Sequence, residues 1–71
     1  MDVHAEITAN VWQVRTEVGA TVGEGDELLV LESMKMEIPV EAPVAGVVTA
    51  IHVKPDDQVT EGDLIATIEP A

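Results

Sequence analysis

Apolar residues fall at every second position over much of this chain. Val3, Ala5 and Ile7 are spaced this way, and so are Val40, Ala42 and Val44. Successive strand residues point to opposite faces, so this spacing predicts strands with one buried face. In the run from 27 to 32 the alternation turns Leu29 and Leu31 inward and Val30 toward water. Ala66 and Ile68 are the inward counterparts later in the chain, and Thr67 is the outward one. Val, Ile and Thr supply most of these positions, and β-branched side chains suit strands better than helices. Apolar spacing of three and four never persists long enough for a helix. Turn formers punctuate the runs at Ala9-Asn10, Gly19-Ala20, Gly23-Glu24-Gly25-Asp26, Pro43 to Gly46, Pro55-Asp56-Asp57 and Glu61-Gly62-Asp63. The expected strands are 3–7, 11–18, 21–22, 27–32, 36–44, 47–54, 58–59 and 64–69.

The pattern also repeats. A shift of 37 carries Val3, Ala5, Val11, Val22, Glu24, Gly25, Asp26 and Glu32 onto Val40, Ala42, Val48, Val59, Glu61, Gly62, Asp63 and Glu69. Ile7, Val14, Leu28 and Leu31 fall on Val44, Ile51, Ile65 and Ile68. Two similar halves of about four strands each, related by a pseudo-twofold axis, follow from such a repeat. The predicted fold is all-β: a flattened barrel or sandwich of two four-stranded antiparallel sheets. Gly25 and Gly62 occupy equivalent turns, where a positive φ would call for glycine. Trp12 is matched by Thr49, which predicts a partly exposed cover over the sheet edge rather than a ligand platform.

The repeat singles out the link between the halves. The first half ends at Glu32 and the second at Glu69, so Ser33 to Met36 forms a linking hairpin. Under a twofold, that hairpin and the paired chain ends lie at opposite poles. Its tip carries Met34-Lys35-Met36, flanked by Glu32-Ser33 and Glu37-Ile38. Gly, Asn, Asp, Ser or Pro usually fill turn tips. Two methionines there lose their hydrophobic value to water, so something other than folding asks for them. Glu32 and Glu37 flank the turn and are expected to face each other across it.

Composition narrows the chemistry. The chain has 71 residues, expected to form one domain over 1–71, and no cysteine, so disulfides and cysteine-ligated metals are excluded. The cysteine-free composition fits the cytoplasm, and the first residues lack the basic start and apolar run of a signal peptide. No segment approaches the roughly 18 apolar residues of a membrane span. A net charge of −11 disfavours nucleic acid and anionic membranes and favours partners with basic docking surfaces. His4 and His52 do not pair under the repeat and are expected at the surface. Glu24, Asp26, Glu61 and Asp63 repeat with the turns, which marks them as turn residues rather than an acid pair or metal site. Nucleophile, base and orienting partner are not found together, and no glycine-rich phosphate loop is present.

Met34-Lys35-Met36, with Gly25-Asp26 before it and Ala42-Pro43, Gly46 and Gly62-Asp63 after it, resembles the attachment site of the biotinyl (biotin carboxyl carrier) domain family. The likeness extends over nearly the whole chain and is nearest to small stand-alone biotinylated proteins. It departs upstream, where Ile7-Thr8-Ala9-Asn10 replaces a Pro-Met-Pro-Gly-like segment, and no inserted thumb is present. The resemblance implies covalent biotin on Lys35, attached by a biotin–protein ligase from an adenylate. Met34 and Met36 would be flanking recognition residues, with Glu32 and Glu37 framing the site for the ligase. It also implies service between biotin carboxylase and carboxyltransferase subunits, by a carrier that is not itself an enzyme and is monomeric on its own. Lipoyl carriers share the fold but usually place Asp before the lysine and Ala after it. The alternatives are such a lipoyl carrier or an unmodified interaction module.

Overall fold

Eight strands and no helix make up the computed structural model, which describes residues 1–71. They are β1 (Asp2–His4), β2 (Ala9–Val14), β3 (Thr21–Val22), β4 (Glu27–Ser33), β5 (Met36–Glu41), β6 (Gly46–Ile51), β7 (Gln58–Val59) and β8 (Leu64–Pro70). They pair into two antiparallel four-stranded sheets, which agrees with the expected class. One, the hairpin sheet, has the order β5-β4-β2-β7, and the other, the terminal sheet, has β1-β8-β6-β3. A shift of 37 carries β2, β3 and β4 onto β6, β7 and β8 residue for residue, and each sheet onto the other.

Hydrogen bonds at the turns obey the same symmetry. Gly25 N donates to Ala42 O at 2.9 Å, and Gly62 N to Ala5 O at 2.8 Å. Asp26 Oδ2 accepts from Gly23 N and Asp63 Oδ2 from Thr60 N, each at 2.8 Å. The repeated Glu-Gly-Asp block is thereby explained. The aspartate closes the turn with its side chain, and the glycine supplies a φ of +89° at Gly25 and +93° at Gly62.

Four strands are shorter than the alternation suggests. β1 ends at His4, β2 at Val14, β5 at Glu41 and β6 at Ile51. Ala5 N still bonds to Asp63 O beside β8 and Ala42 N to Asp26 O beside β4, and past these points the backbone crosses to the other sheet. The apolar spacing continues through the crossings because Ile7, Val44 and Val53 still pack on the core.

β-Bulges occur as symmetric pairs. Trp12 and Thr49 are the extra residues where β2 meets β4 and where β6 meets β8, and Leu28 and Ile65 where β4 meets β5 and where β8 meets β1. A bulge sets two residues opposite one and interrupts strict alternation. Leu28 and Leu29 therefore both enter the core, with Leu31. Val30 corrects the sequence expectation. It lies outside the core cluster, as alternation requires, yet it is only 4% exposed. Its cross-strand partners are Gln13 and Pro39, and the bulge adds Trp12 on the same side.

Between the sheets lies an apolar core of aliphatic side chains, with no buried polar residue. The chain ends and the β4–β5 hairpin sit at opposite poles. Pro70 at the end of β8 pairs with Gly46, which pairs with Val22. Gly25 in the turn before β4 bonds to Ala42, just ahead of Gly46. The end of β8 thus lies beside the start of β4, and β4 then runs seven residues away, roughly 20 Å. The molecule extends 34 × 17 × 17 Å, so this run follows the long axis.

Glycines here differ in what they resist. A Cβ at Gly25 or Gly62 would meet nothing within 4 Å, so only the backbone angle is strained. One at Gly46 would lie 2.1 Å from Glu69 O. Gly25→Val and Gly62→Val should each cost about 1–2 kcal/mol, lowering Tm by roughly 4–8 °C per kcal/mol. Gly46→Ala, smaller but obstructed by backbone, should cost more, about 2–3 kcal/mol. Thermal melts of the three variants check that order, and equal melting of all three with the parent would refute it.

Candidate functional site

The β4–β5 hairpin closes with two residues. Ser33 pairs with Met36, leaving Met34 and Lys35 as the loop. Both have positive φ, 53° at Met34 and 64° at Lys35. Two consecutive positive φ values in a two-residue hairpin loop are the mark of a type I′ turn, whose twist matches the flanking strands. Asn-Gly is the usual solution there, and side chains other than Gly, Asn or Asp are strained in this region. The sequence gives no sign of this geometry, because Met-Lys is not a turn signal. The remaining left-handed residues are Gly19, Gly25, Gly62 and Asp56. Met34 and Lys35 alone take this conformation without a turn-forming side chain.

The turn makes all three side chains available. Met34 is 92% exposed and Met36 64%. Lys35 is exposed and forms no ion pair, whereas Arg15 Nε lies 3.3 Å from Glu27 Oε2. Glu32 and Glu37 are exposed and stand directly opposite each other, one step below the Ser33–Met36 pair. His4 and His52 are exposed on the other sheet or just past its end. Trp12 is 41% exposed at its bulge. The tip is therefore a projecting, unpaired primary amine between two thioethers, with two carboxylates beneath it. An amine so displayed can accept an acyl group while the folded body stays unchanged.

A family model described as "Biotin-requiring enzyme" matches residues 2–68. The chain belongs to this family. It is a biotin-attachment domain, homologous to the biotin carboxyl carrier domains of carboxylases. It is 54% identical over 67 residues to a biotinylated protein TB7.3 homolog from Mycobacterium leprae (strain TN), spanning 94% of each chain. It is 40% identical to a biotin/lipoyl attachment protein from Bacillus subtilis (strain 168), covering 92% of this chain and 89% of that one. Among solved structures it superposes on the Kluyveromyces lactis urea carboxylase with a TM-score of 0.92 and 36% identity. That match covers 97% of this chain but 6% of the carboxylase, so domains of this kind also occur as small parts of large enzymes.

The backbone strain at the tip yields a test. Asn tolerates positive φ better than Met, so Met34→Asn should raise stability by about 0.5–1 kcal/mol. Urea denaturation of parent and variant measures this, and a variant less stable than the parent would show that the turn holds no strain.

Proposed function

We propose that Lys35 is the residue that carries biotin, and that a biotin–protein ligase attaches it. What supports this is the free, exposed Nζ at the tip of a strained turn. The residues present suit the group, because nothing pairs with or covers the amine and the body below it is rigid. The ligase has to supply an activated acyl donor and a base. One proton leaves the ammonium for the base before Nζ attacks. The new amide bond forms at Nζ as the bond between acyl carbon and leaving group breaks, the leaving group departs with that electron pair, and the second proton on nitrogen passes to solvent. When bound, biotin supplies a ureido nitrogen that can take up and release a carboxyl group.

This chain's own contribution is then positional. Lys35 extends from one pole, so the bulk of the domain trails behind the reacting end. Tethering raises the effective concentration of the attached group at two sites in turn. Those sites are proposed to be a biotin carboxylase and a carboxyltransferase in a biotin-dependent carboxylase, with this chain as a carrier that performs no catalysis. Methionine on each side of Lys35, with flexible, polarizable side chains, offers the ligase adaptable apolar contacts.

Intact-mass analysis after incubation with ligase, ATP and biotin tests the assignment. The parent and Lys54→Arg should each gain one biotinyl group. Lys35→Arg should fold normally and gain none, since a guanidinium offers no amine for that amide. Biotin on the Lys35→Arg protein would overturn the assignment.

A further inference from the structure

The pseudo-twofold provides an internal control, because each outer position on one sheet has a counterpart on the other. At the centre of the terminal sheet's outer face the residues are Asp2, Thr67 and Thr49. They join in a polar network: Thr67 Oγ1 donates to Asp2 Oδ1 at 3.3 Å, and Thr49 Oγ1 to Thr67 O at 3.3 Å. His52 Nε2 lies 3.4 Å from Thr67 Oγ1. The counterparts on the hairpin sheet are Pro39, Val30 and Trp12. The fold thus accepts polar residues at these positions, yet the sheet that bears Lys35 exposes Trp12 and Pro39 there, over a buried Val30, with Gln13 as the polar residue opposite Val30.

Charge differs between the sheets at one of two acidic pairs, since Glu32 is matched by Glu69 and Glu37 has no counterpart. Trp12, Val30 and Pro39 lie between two cross-strand carboxylate pairs, Glu32 opposite Glu37 and Glu27 opposite Glu41. The counterparts of Glu27 and Glu41 are Leu64 and His4, and those positions also pair with each other. Like charges directly opposite one another oppose strand pairing. Arg15 offsets Glu27 alone. The hairpin sheet therefore carries two exposed apolar side chains, Trp12 and Pro39, and an acidic pair, Glu27 and Glu41, that the other sheet lacks, and the Glu32–Glu37 pair continues the negative charge to the Lys35 turn.

We propose that this outer face, where Trp12 and Pro39 are exposed over a buried Val30 between the two glutamate pairs, is where the ligase that acylates Lys35 docks. Its complementary surface would be an apolar patch ringed by arginine or lysine. The proposal rests on Lys35 being the acylated residue. The occupant follows from geometry and charge. An enzyme acting on Nζ must bring its reacting atoms to within roughly 3–3.5 Å of it. It has to rest against a face adjoining the turn, whereas enzymes that use the finished arm are reached from farther away. A second copy of this chain would bring carboxylates against carboxylates. Across such an interface, opposite charges steer association and suppress wrong partners.

The test is steady-state biotinylation by a purified biotin–protein ligase with ATP and biotin, varying the concentration of this protein. Trp12→Thr installs the terminal sheet's own residue, and Glu41→Lys reverses an exposed charge far from the turn. Each should raise KM by about tenfold with kcat nearly unchanged. His4→Lys, which places lysine at the equivalent position of the other sheet with a change of one charge instead of two, should leave KM unaltered. Raising salt from about 0.05 to 0.5 M should raise the parent's KM several-fold. Circular dichroism establishes that each variant is folded, and Glu41→Lys carries the test if Trp12→Thr is not. A parent modified on Lys35 with KM unmoved in the folded variants overturns the docking face alone. A parent that takes up no biotin overturns acylation of Lys35, and the docking face with it. Self-association of the parent that Trp12→Thr abolishes would assign the face to a second copy and overturn the proposal.

Discussion

Neither half of this chain can build a sheet by itself. The hairpin sheet takes its central strands, β4 and β2, from the first half and its edges, β5 and β7, from the second. The terminal sheet does the reverse, with β8 and β6 at its centre and β1 and β3 at its edges. Each half lends its edges to the other, so the backbone hydrogen bonds that complete one sheet depend on the whole chain. The aliphatic core closes only when this exchange is made, because the buried faces of the two sheets come from both halves. Of all the strand pairings, only β4 with β5 joins neighbours in sequence. The rest join distant segments, an arrangement that is slow to form and cooperative once formed.

That exchange explains why the lysine stands where it does and why its turn can be strained. The β4–β5 hairpin is where the chain passes from one half to the other. Its counterpart under the twofold would join β8 to β1, and there the chain has its ends instead. β4 is held on both sides, by β5 and β2, and its leucines are fully buried. Register up to the Ser33–Met36 pair is thus fixed by the sheet, not by the turn. Met34 and Lys35 can then occupy left-handed geometry that their side chains disfavour, since the strands impose it. Strain held by surrounding structure is common where a residue must be presented for chemistry.

Much of the fold was legible because the repeat is written in core residues. Val11 and Val48, Leu28 and Ile65, Leu31 and Ile68 face the core, so their spacing records the symmetry directly. The two-residue strands β3 and β7 emerged from the Val-x-Glu-Gly-Asp block, in which the turn chemistry follows immediately. Strand ends were less legible, because apolar side chains such as Ile7 and Val44 keep packing after the backbone has left the sheet. The bulges could not be read, since an inserted residue leaves no mark in composition, and Val30 was misjudged on that account. At the tip, the identity of Met34, Lys35 and Met36 carried the family resemblance. Their left-handed backbone did not show, because it is imposed by register and the sequence offers no glycine or asparagine to signal it.

The symmetry also separates what folding needs from what it merely tolerates. Where both halves keep the same residue type, an equivalent local cause accounts for it: a positive φ at Gly25 and Gly62, and a side-chain hydrogen bond at Asp26 and Asp63. Gly19 and Asp56 hold equivalent left-handed turns with different residues, so the backbone angle is the requirement and glycine is one way to meet it. Gly46 and its counterpart Ala9 differ for a local reason: Glu69 O leaves no room for a Cβ at Gly46. Trp12 against Thr49 and Val30 against Thr67 have no such local cause. Trp12 and Thr49 are the extra residues of matching bulges, Val30 and Thr67 lie opposite those bulges, and the polar set forms its own hydrogen bonds. A difference that the scaffold does not demand, on the sheet that bears the exposed lysine, is one that a partner docking on that sheet would account for.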